Sequence, residues 1–541
     1  MTNLVTVSEM ITLESEANER GLGYDQMMKN AGFALADVIH DRYGHTQSRN
    51  ILGLIGSGNN GGDALIALSE LIEKGWIVTA YLIKKRKKKD SLVMSIINNG
   101  GQVISIDEDG SYDKLQELIG NSDIILDGIL GTGFKQPLRD EISTPLQVFS
   151  KFDTLPEIVA VDCPSGVDCE IGETAEETLH ANLTVCMAAI KKGLLKFPAF
   201  EYAGEIVVVD IGLPKNLPEF KNIHASVVDQ GVVRKMLPAR PLDAHKGTFG
   251  TCMIIGGSTN YCGAVLLSAV SAYRIGAGLV RAAIPGAIYD AIAGKLPECT
   301  WIILPHTVGT INSSASVVIQ ENLDRVTALL IGPGLGLEKE TLEFMKNLLH
   351  FEETPVKKTA IGFLGQLKKT ENKEPLSQPT LVFDADALRL LANIDNWHQM
   401  LKQRAVLTPH PGEMSALTGL TIDEVQNDRE GIVKDYAAKW GHVVVLKGAV
   451  TIIASPEGEA VFIPIATPAL ASAGTGDVLS GMIAGLIGQG MMAFDAAVAG
   501  AWLHARAGVA AAKKQGQTIS ITASDVIDEI SFVLKEITST K

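Results

Sequence analysis

The feature that most constrains the fold of this chain is a series of short apolar runs separated by helix-length segments. Most of the runs in the first half are bounded by Gly, Asn, Asp or Pro, which end strands and begin turns. They occupy residues 51–55, 77–83, 124–126, 158–161, 183–187 and 206–209. This alternation predicts βα units in a parallel sheet, because parallel neighbours need a long crossover connection.

The pattern pauses and then restarts in the middle of the chain. Four prolines punctuate a polar stretch between residues 212 and 246, where we predict a domain junction. Strand-like runs then recur at 251–255, 279–284, 328–331, 381–383, 405–407 and 443–446. Because 541 residues exceed the usual reach of one hydrophobic core, we predict two α/β domains, residues 1–222 and 223–541.

Three other segments carry structural predictions. Residues 13–40 are helix-like, and residues 263–275 form a helix after a glycine-rich turn. The largely polar segment 352–378 is predicted to be a surface excursion of the second domain.

Composition and charge exclude several classes of function. The formal net charge of −15 argues against nucleic-acid binding, which needs clustered positive charge. The one basic run, residues 84–89, could bind nucleic acid or lipid, but a solvated loop is favoured. The apolar stretch 465–486 is interrupted by Pro468 and Asp477, and no secretory signal opens the chain. We therefore expect a cytoplasmic protein with neither membrane nor nucleic-acid partners.

Glycine or polar clusters follow three of the strands predicted in the first half. GLIGSGNNGGDAL (53–65) links a strand to a helix, and could be an anion-binding loop or merely a tight turn. Asp127 precedes the loop 131–137, and Asp162 precedes CPSGVD (163–168). Each Asp could simply cap a turn, but three clusters at strand ends favour a ligand crevice.

These motifs, GSGNNGGD, LDGILGTG and VDCPSGVD, resemble the epimerase domain of the NAD(P)H-hydrate repair enzymes. The resemblance covers about the first two-fifths of the chain and places Asp162 beside the nicotinamide. It implies potassium ligation by Asn60, Asp127 and Ser165, in keeping with a hard cation's preference for oxygen. The residues it assigns to the dinucleotide are Asn59, Asn60, Gly61, Gly62, Asp63, Gly131, Thr132, Gly133, Phe134, Lys135, Gln136 and Pro137.

The chemistry implied for Asp162 is the loss and return of a hydroxyl on carbon 6 of the reduced ring. This passes through a cationic ring, so it needs a proton carrier and a nearby negative charge. The alternative for Asp162 is a cap on the PSG turn, and for Lys191 a solvated lysine is favoured over a site role. Relatives often continue with Thr–Gly where this chain has Ile171–Gly172.

The strongest motif of the second half is ASAGTGDVLSG (471–481), which leads into an apolar helix. Its glycines expose N–H groups at a helix N-terminus, an anion hole for a transferring phosphoryl group. Asp477, in the first turn, is placed to take a proton from a hydroxyl; the alternative is a dipole-favoured Asp at a plain helix start. The motif resembles that of the ribokinase-like superfamily, where the equivalent Asp is the base.

HKGTFG (245–250), GGSTNYCGA (256–264), GPGLG (332–336), TPHPGE (408–413) and KGAVT (447–451) occur in this order. With the previous motif they resemble the ADP- or ATP-dependent NAD(P)H-hydrate dehydratases over nearly all of the second half. The resemblance assigns Ala264, Gly334, His410 and Asp477 to the hydrate. It assigns Lys447, Gly448, Ala449, Val450, Thr451 and Gly476 to the nucleotide. His410 could instead be a satisfied turn histidine and Lys447 a solvated lysine, and Ala473 replaces a glycine common in relatives.

The two resemblances together imply a Rossmann-like parallel-sheet domain followed by a ribokinase-like α/β domain. They imply epimerisation of hydrated NADH and NADPH, followed by dehydration with ADP or ATP, with K⁺ and Mg²⁺ as metal cofactors. Hydroxide leaves poorly, so phosphorylation of the ring hydroxyl explains the kinase motif. A homo-oligomer is expected. The alternatives are a ribokinase-like small-molecule kinase with an accessory domain and a non-catalytic nucleotide sensor.

Overall fold

The computed structural model of the chain describes residues 1–45, 49–87, 90–350 and 378–539. Contacts between Cα atoms divide the chain into an N-terminal unit, Thr2–Ser226, and a C-terminal unit that begins at Val227. The predicted junction after residue 222 falls just before this division. The excursion predicted over 352–378 lies, except for its last residue, outside the described residues.

The N-terminal unit alternates strands with helices. Its strands are β1 (Thr2–Val5), β2 (Asn50–Ile55), β3 (Ile77–Leu82), β4 (Gln102–Ser105), β5 (Ile124–Gly128), β6 (Glu157–Val161), β7 (Leu183–Met187), β8 (Ile190–Lys191) and β9 (Glu205–Val209). Its α-helices are α1 (Val7–Glu19), α2 (Tyr24–Tyr43), α3 (Asn59–Glu73), α4 (Ser91–Asn98), α5 (Asp113–Asn121), α6 (Asp140–Gln147) and α7 (Ala199–Ala203).

Among the described residues of this unit, seven strands form a fully parallel sheet in the order β4-β3-β2-β5-β6-β7-β9. Successive residues of a strand face opposite sides, so Ile124 and Ile125 of β5 enter two different apolar clusters. Both faces are therefore buried, as a parallel sheet requires. The strand that follows β2 in sequence, β3, lies on one side of it, and β5 lies on the other side. The strand order therefore reverses at β2, which opens a crevice at the carboxyl ends of these strands.

The C-terminal unit has the same alternation. Its strands are β10 (Ala225–Val227, which covers the division), β11 (Thr251–Ile255), β12 (Leu279–Pro285), β13 (Thr300–Leu304), β14 (His306–Thr307), β15 (Thr310–Ile311), β16 (Ala328–Ile331), β17 (Thr380–Phe383), β18 (Val406–Leu407), β19 (Val443–Leu446), β20 (Ile452–Ala454) and β21 (Ala460–Phe462). Its α-helices are α8 (Gln230–Met236), α9 (Cys262–Arg274), α10 (Tyr289–Ile292), α11 (Ala315–Glu321), α12 (Lys339–Leu349), α13 (Asp386–Leu391), α14 (Trp397–Met400), α15 (Pro411–Thr418), α16 (Ile422–Asn427), α17 (Arg429–Trp440), α18 (Thr475–Gly488), α19 (Ala493–Gln515) and α20 (Ala523–Ser539).

The strands β13-β12-β11-β16-β17-β18-β19 are parallel neighbours in this order, and β20 and β21 extend the sheet as antiparallel strands. The order reverses between β11 and β16, so the loops after these two strands open a second crevice. Helix α18 packs closely on α9, because a Cβ atom on Gly481 would lie only 2.3 Å from the carbonyl oxygen of Ser268. This contact fixes where the N-terminus of α18 sits on the sheet.

All twelve predicted strand runs fall on observed strands, and the α/β prediction with parallel sheets is confirmed. The stretch predicted to be helix-like, residues 13–40, is helical apart from one break. The chain has two helices there, because Gly21 adopts a left-handed φ of 98° between α1 and α2. The pattern also missed short strands such as β1, β4 and β8, whose few residues carry no clear period.

Candidate active sites

The glycine-rich loop of the N-terminal unit joins β2 to α3, which begins at Asn59 with Gly58 as its N-cap. A Cβ atom on Gly56 would lie 1.9 Å from the carbonyl oxygen of Ile129, and one on Gly61 would lie 2.2 Å from that of Gly56. Only glycine fits at these two positions. The start of α3 is thereby held at the carboxyl edge of the sheet, where the free N–H groups of a helix favour an anion.

The two segments predicted to hold a dinucleotide lie together at this edge. Residues 59–63 begin α3, and residues 131–137 form the loop after β5. A Cβ atom on Gly131 would lie 2.3 Å from Oδ1 of Asn60, so the segments are in contact. The Lys135 side chain is exposed on its loop, within reach of a ligand from solvent.

Asp162 follows β6 with a left-handed φ of 65°, a conformation that is strained for any residue except glycine. Its Oδ1 accepts a hydrogen bond from the N–H of Met187 at 2.9 Å and forms an ion pair with Nζ of Lys191. The carboxylate therefore binds the segment after β7 instead of the PSG turn. The capping alternative for Asp162 is wrong.

Lys191 is not the solvated lysine that the sequence favoured, because its side chain is 1% exposed. Its ammonium also donates to the carbonyl oxygen of Met187 at 3.2 Å. Burial is the largest single effect and disfavours the ammonium, but the charge and hydrogen bond of Asp162, together with the thiols of Cys186 and Cys169, raise the pKa of Lys191 above its ordinary value. The result is a buried, charged pair at the carboxyl edge of the sheet.

The charges of Asp162 and Lys191 also act on two further carboxyl groups. Burial raises the pKa of Asp63 to about 8, with the charges of Asp162 and Glu14 adding to the effect and Lys191 opposing it. Burial also raises the pKa of Glu14, on α1, while Lys191 lowers it. Asp63 is thus a protonated acid near neutral pH, close to the ion pair of Asp162 and Lys191.

Of the three residues predicted to bind potassium, Asp127 and Ser165 are joined directly, and Asn60 is linked to Ser165 through the backbone of Leu130. Asp127 accepts from the N–H of Ser165 at 2.7 Å and from its hydroxyl at 2.5 Å. The hydroxyl oxygen of Ser165 accepts from the N–H of Leu130 at 2.9 Å. The Asn60 amide donates to the carbonyl oxygens of Leu130 and Val161, at 3.1 and 2.5 Å. One hydrogen-bonded group therefore contains carboxylate, carbonyl and hydroxyl oxygens.

Within this group, the buried carboxyl group of Asp127 is the one that suits a bound cation. Its side chain is fully buried, burial raises its pKa, and no ion pair reaches it from the described part of the chain. A buried carboxylate without a counter-charge is costly, and a bound alkali cation would compensate it. Among the described residues there is no cluster of three or more His, Cys, Asp or Glu side chains that could hold a metal ion.

In the C-terminal unit, α18 begins at Thr475 with Gly474 in a left-handed conformation. No acceptor among the described residues reaches the N–H groups of Gly476 and Asp477. Free N–H groups at a helix start favour an anion, so the anion hole assigned to the motif stays a prediction that this geometry fits. Burial raises the pKa of Asp477; with the charge of Asp384 adding to this effect and that of Lys447 opposing it, the pKa is about 7.

Lys447 follows β19 and is held in a network of carboxylates. Its Nζ lies 2.8 Å from Oδ1 of Asp384 and 3.5 Å from Oε2 of Glu413. The Thr408 hydroxyl donates to the same Asp384 oxygen at 2.7 Å. A Cβ atom on Gly476 would lie 3.7 Å from the Lys447 ammonium, which places this cation at the anion hole. The solvated alternative for Lys447 is wrong.

His410 caps the start of α15, as the turn alternative proposed. The ring Nδ1 of His410 accepts from the N–H of Gly412 at 3.0 Å, and the backbone N–H of His410 donates to Oε2 of Glu413 at 2.9 Å. Burial and the charge of Lys447 lower the pKa of His410, so the ring is neutral. Its side chain is still 44% exposed, which leaves it open to a ligand as well.

The KGAVT turn, residues 447–451, is shaped by a residue that sequence reasoning missed. Nη2 of Arg429 donates to the carbonyl oxygens of Leu446, Lys447 and Val450 at 3.1–3.3 Å. Burial lowers the pKa of Arg429 to about 10, still high enough for it to be cationic at neutral pH. No spacing in the sequence links Arg429 to this turn, so no signal could have revealed its role.

The remaining predicted residues, Ala264 and Gly334, are brought together beside α18. A Cβ atom on Gly334, whose φ is 64°, would lie 3.1 Å from Cβ of Ala264. One turn further along α9, the hydroxyl of Ser268 donates to the carbonyl oxygen of Asp477 at 2.9 Å. The loops after β11 and β16 and the start of α18 thus line one crevice.

Asp384 is the other residue that sequence reasoning missed. It directly follows β17, as Asp162 follows β6, and it is 1% exposed. The rule that selected Asp162, an Asp at the end of an apolar strand run, would have found it in LVFD.

Both units thus carry acid–base groups and anion-binding N–H groups at the carboxyl edge of a parallel sheet, which is the arrangement of an α/β enzyme with two active sites. A family model described as "NAD(P)H-hydrate dehydratase" matches residues 252–531. A second model, "YjeF-related protein N-terminus", matches residues 24–193.

Relatives match along the whole chain. A Moorella thermoacetica protein described as a bifunctional NAD(P)H-hydrate repair enzyme is 34% identical over 99% of this chain and 97% of its own length. An Escherichia coli protein of the same description is 32% identical over 96% of this chain and 91% of its own. The chain belongs to the family of bifunctional NAD(P)H-hydrate repair enzymes.

Solved structures align mainly with part of the chain. The ADP/ATP-dependent NAD(P)H-hydrate dehydratase of Bacillus subtilis, co-crystallised with ATP and Mg²⁺, is 27% identical with a TM-score of 0.45, covering 57% of this chain and 98% of its own. The two family matches and the two sheets confirm the predicted α/β class, an N-terminal parallel-sheet domain followed by a second α/β domain. No helix in the described ranges is long and apolar enough to cross a membrane.

The buried pair of Asp162 and Lys191 gives a stability prediction. Lys191→Met removes the cation and leaves a buried carboxylate unpaired, so the unfolding free energy of the N-terminal unit should fall by about 3 kcal/mol. The double variant Lys191→Met/Asp162→Asn should recover part of this loss. Urea unfolding followed by circular dichroism measures both. The exposed Lys114→Met is the control, and equal stability of the Lys191 and Lys114 variants would contradict the pairing.

Proposed function

We propose that the N-terminal unit interconverts the R and S hydrates of NADH and NADPH at carbon 6 of the nicotinamide ring. We propose that the C-terminal unit dehydrates the S hydrate to NAD(P)H with ADP or ATP, releasing AMP or ADP and phosphate. The observation that carries the proposal is the pair of acid–base sites, Asp63 with Asp162–Lys191 and Asp477 with Lys447, in a chain of this family.

In the proposed epimerisation, the ring nitrogen pushes out the carbon 6 hydroxyl and the C–O bond breaks. Protonated Asp63 gives its proton to the leaving oxygen, so water departs and a cationic ring remains. The Asp162 carboxylate, which pairs with Lys191, stabilises this cation. Water then adds to the other face of the ring, and the proton that it loses returns to Asp63. This step gives the epimeric hydrate and restores the protonated acid.

The dinucleotide would lie along residues 59–63 and 131–137. The potassium site would consist of Asn60, Asp127 and Ser165, and the full burial of the Asp127 carboxyl group, with no ion pair to it among the described residues, supports this site. When bound, the cation supplies a positive charge that fixes these loops. Asn60 and Ser165 orient the carbonyl and N–H groups beside the crevice in either case.

In the proposed dehydration, Asp477 takes the proton of the carbon 6 hydroxyl as its oxygen attacks the terminal phosphorus of the nucleotide. The P–O bond to the leaving AMP or ADP breaks, and the N–H groups of Gly476 and Asp477 stabilise the transferring group. Loss of phosphate from carbon 6 and of a proton from carbon 5 then restores the ring double bond.

The nucleotide would contact Lys447, Gly448, Ala449, Val450, Thr451 and Gly476. The hydrate would contact Ala264, Gly334, His410 and Asp477. Mg²⁺, when bound with the nucleotide, supplies positive charge against its phosphates, and Lys447 adds a fixed cation there. Cytoplasmic location and a homo-oligomeric state stay predictions.

The pH dependence of dehydration follows from Asp477. The base must be ionised, so with its pKa at about 7 the rate should rise as pH increases from about 6 to about 8. Asp477→Asn should abolish the reaction at every pH. The assay is absorbance of the reduced nicotinamide, starting from S-NADH hydrate with Mg²⁺ and either ADP or ATP.

The exposed Asp423→Asn is the matched control and should keep the wild-type profile. A stable phosphorylated product in place of NADH would instead indicate a small-molecule kinase. Turnover by Asp477→Asn would exclude the assigned base.

The epimerase should show the opposite pH dependence. Its acid, Asp63, must be protonated, so the R-to-S rate should fall as pH rises through about 8. Asp63→Asn should remove both the rate and this pH limb, whereas the exposed Asp41→Asn should change neither. Chromatographic separation of the two hydrates over time measures the rate, and an unaltered profile in Asp63→Asn would refute the role.

A further inference from the structure

A cavity of about 680 Å³ lies in the N-terminal unit, beside the glycine loop at Ser57. This is the size of a small-molecule site. Its charged lining residues are Asp25, Lys29, Lys85, Arg86, Lys87 and Asp90. The three lysines and the arginine come from α2 and from the segment after β3, and the proposed function so far uses none of them.

The positive charge of this cavity is only partly neutralised. Arg86 is satisfied, since it pairs with Asp90 at 2.7 Å and donates to the carbonyl oxygen of Gly56 at 2.7 Å. Lys85 pairs at 3.3 Å with Asp107, but its side chain is 85% exposed, so the pair is weak. Lys29 and Lys87 have no ion pair among the described residues, and Asp25 alone opposes them. The cavity therefore suits an anion.

The position of the cavity suits the far end of a dinucleotide. The strands β6, β5, β2 and β3 are successive neighbours, so the loops after β6 and β3 are about 14 Å apart, three strand spacings. An extended dinucleotide with its nicotinamide at Asp162 crosses the start of α3 with its pyrophosphate. Its adenosine then lies at the loop after β3, next to the cavity. Arg86 joins that loop to the glycine loop.

The residue types after β3 indicate whether the bound adenosine carries a free ribose 2′-hydroxyl or a 2′-phosphate. In doubly wound folds an acidic residue at this place binds the free ribose 2′-hydroxyl, whereas a basic one accommodates a 2′-phosphate. Here the strand is followed by Lys84, Lys85, Arg86 and Lys87. The first acid, Asp90, is occupied by Arg86 and by the N–H of Leu92 at 3.0 Å.

We infer that Lys85 and Lys87 bind the 2′-phosphate of NADPH hydrate in this cavity, and that the epimerase site therefore favours the phosphorylated dinucleotide. This inference rests on the proposed epimerase function. Part of the basic run, which the sequence favoured as a solvated loop, would then bind a small molecule.

The test compares the two hydrates with one double variant, Lys85→Gln/Lys87→Gln, in the full chain. Loss of two charged contacts should lower kcat/KM for epimerisation of R-NADPH hydrate roughly tenfold or more and leave that of R-NADH hydrate within about twofold. The exposed Lys114→Gln, outside the cavity, should change neither value. Equal loss for both hydrates, or no loss for either, would overturn the inference.

A binding measurement separates this inference from the epimerase proposal. Titration calorimetry of the full chain with adenosine 2′,5′-bisphosphate should show a site that is weakened in the double variant, while binding of 5′-AMP is equal in both proteins. If wild type epimerises neither hydrate but this difference persists, the epimerase proposal fails and the phosphate site stands. If the 3′,5′ isomer binds as well as the 2′,5′ isomer, the assignment to a 2′-phosphate is wrong.

Discussion

Every proposed role in this protein depends on one geometric constraint, the parallel alignment of strands within each sheet. Parallel strands end at the same edge, so the residues that follow them meet even when they are far apart in sequence. In the N-terminal unit this brings Asp63, Asp127 and Asp162 to one edge. In the C-terminal unit it joins Asp384, Lys447 and the start of α18. A single slipped or reversed strand would scatter these groups.

Both sites place a lysine among carboxyl groups. Lys191 pairs with Asp162, and its charge opposes the rise in the pKa of the nearby Asp63. Lys447 is shared by Asp384 and Glu413, and its charge opposes the rise in the pKa of Asp477. The proposed acid of one unit and the proposed base of the other therefore both have pKa values near neutral pH, at about 8 for Asp63 and about 7 for Asp477.

The sequence predicted most of this through features that act locally. Strand runs, glycine loops and an Asp after a strand are set by backbone geometry, which is why β2, β6 and the α18 motif could be placed without a structure. Lys191 and Arg429 could not be placed. Each acts across tertiary contacts, on Asp162 and on the 447–451 turn, and a lysine or arginine in sequence is ordinarily solvated. Burial, which decides both cases, is a property of the whole fold.

One chain is proposed to catalyse two consecutive reactions, one in each unit. The sharpest test supplies pure R-NADH hydrate with Mg²⁺ and ADP or ATP, and follows absorbance of the reduced ring for Asp162→Asn, for Asp477→Asn and for their mixture. Neither variant alone should form NADH faster than the enzyme-free epimerisation allows, and the mixture should restore the reaction. If Asp162→Asn alone matches wild type on the R hydrate, or if the mixture stays inactive, the assignment of the two reactions to two separate sites is wrong.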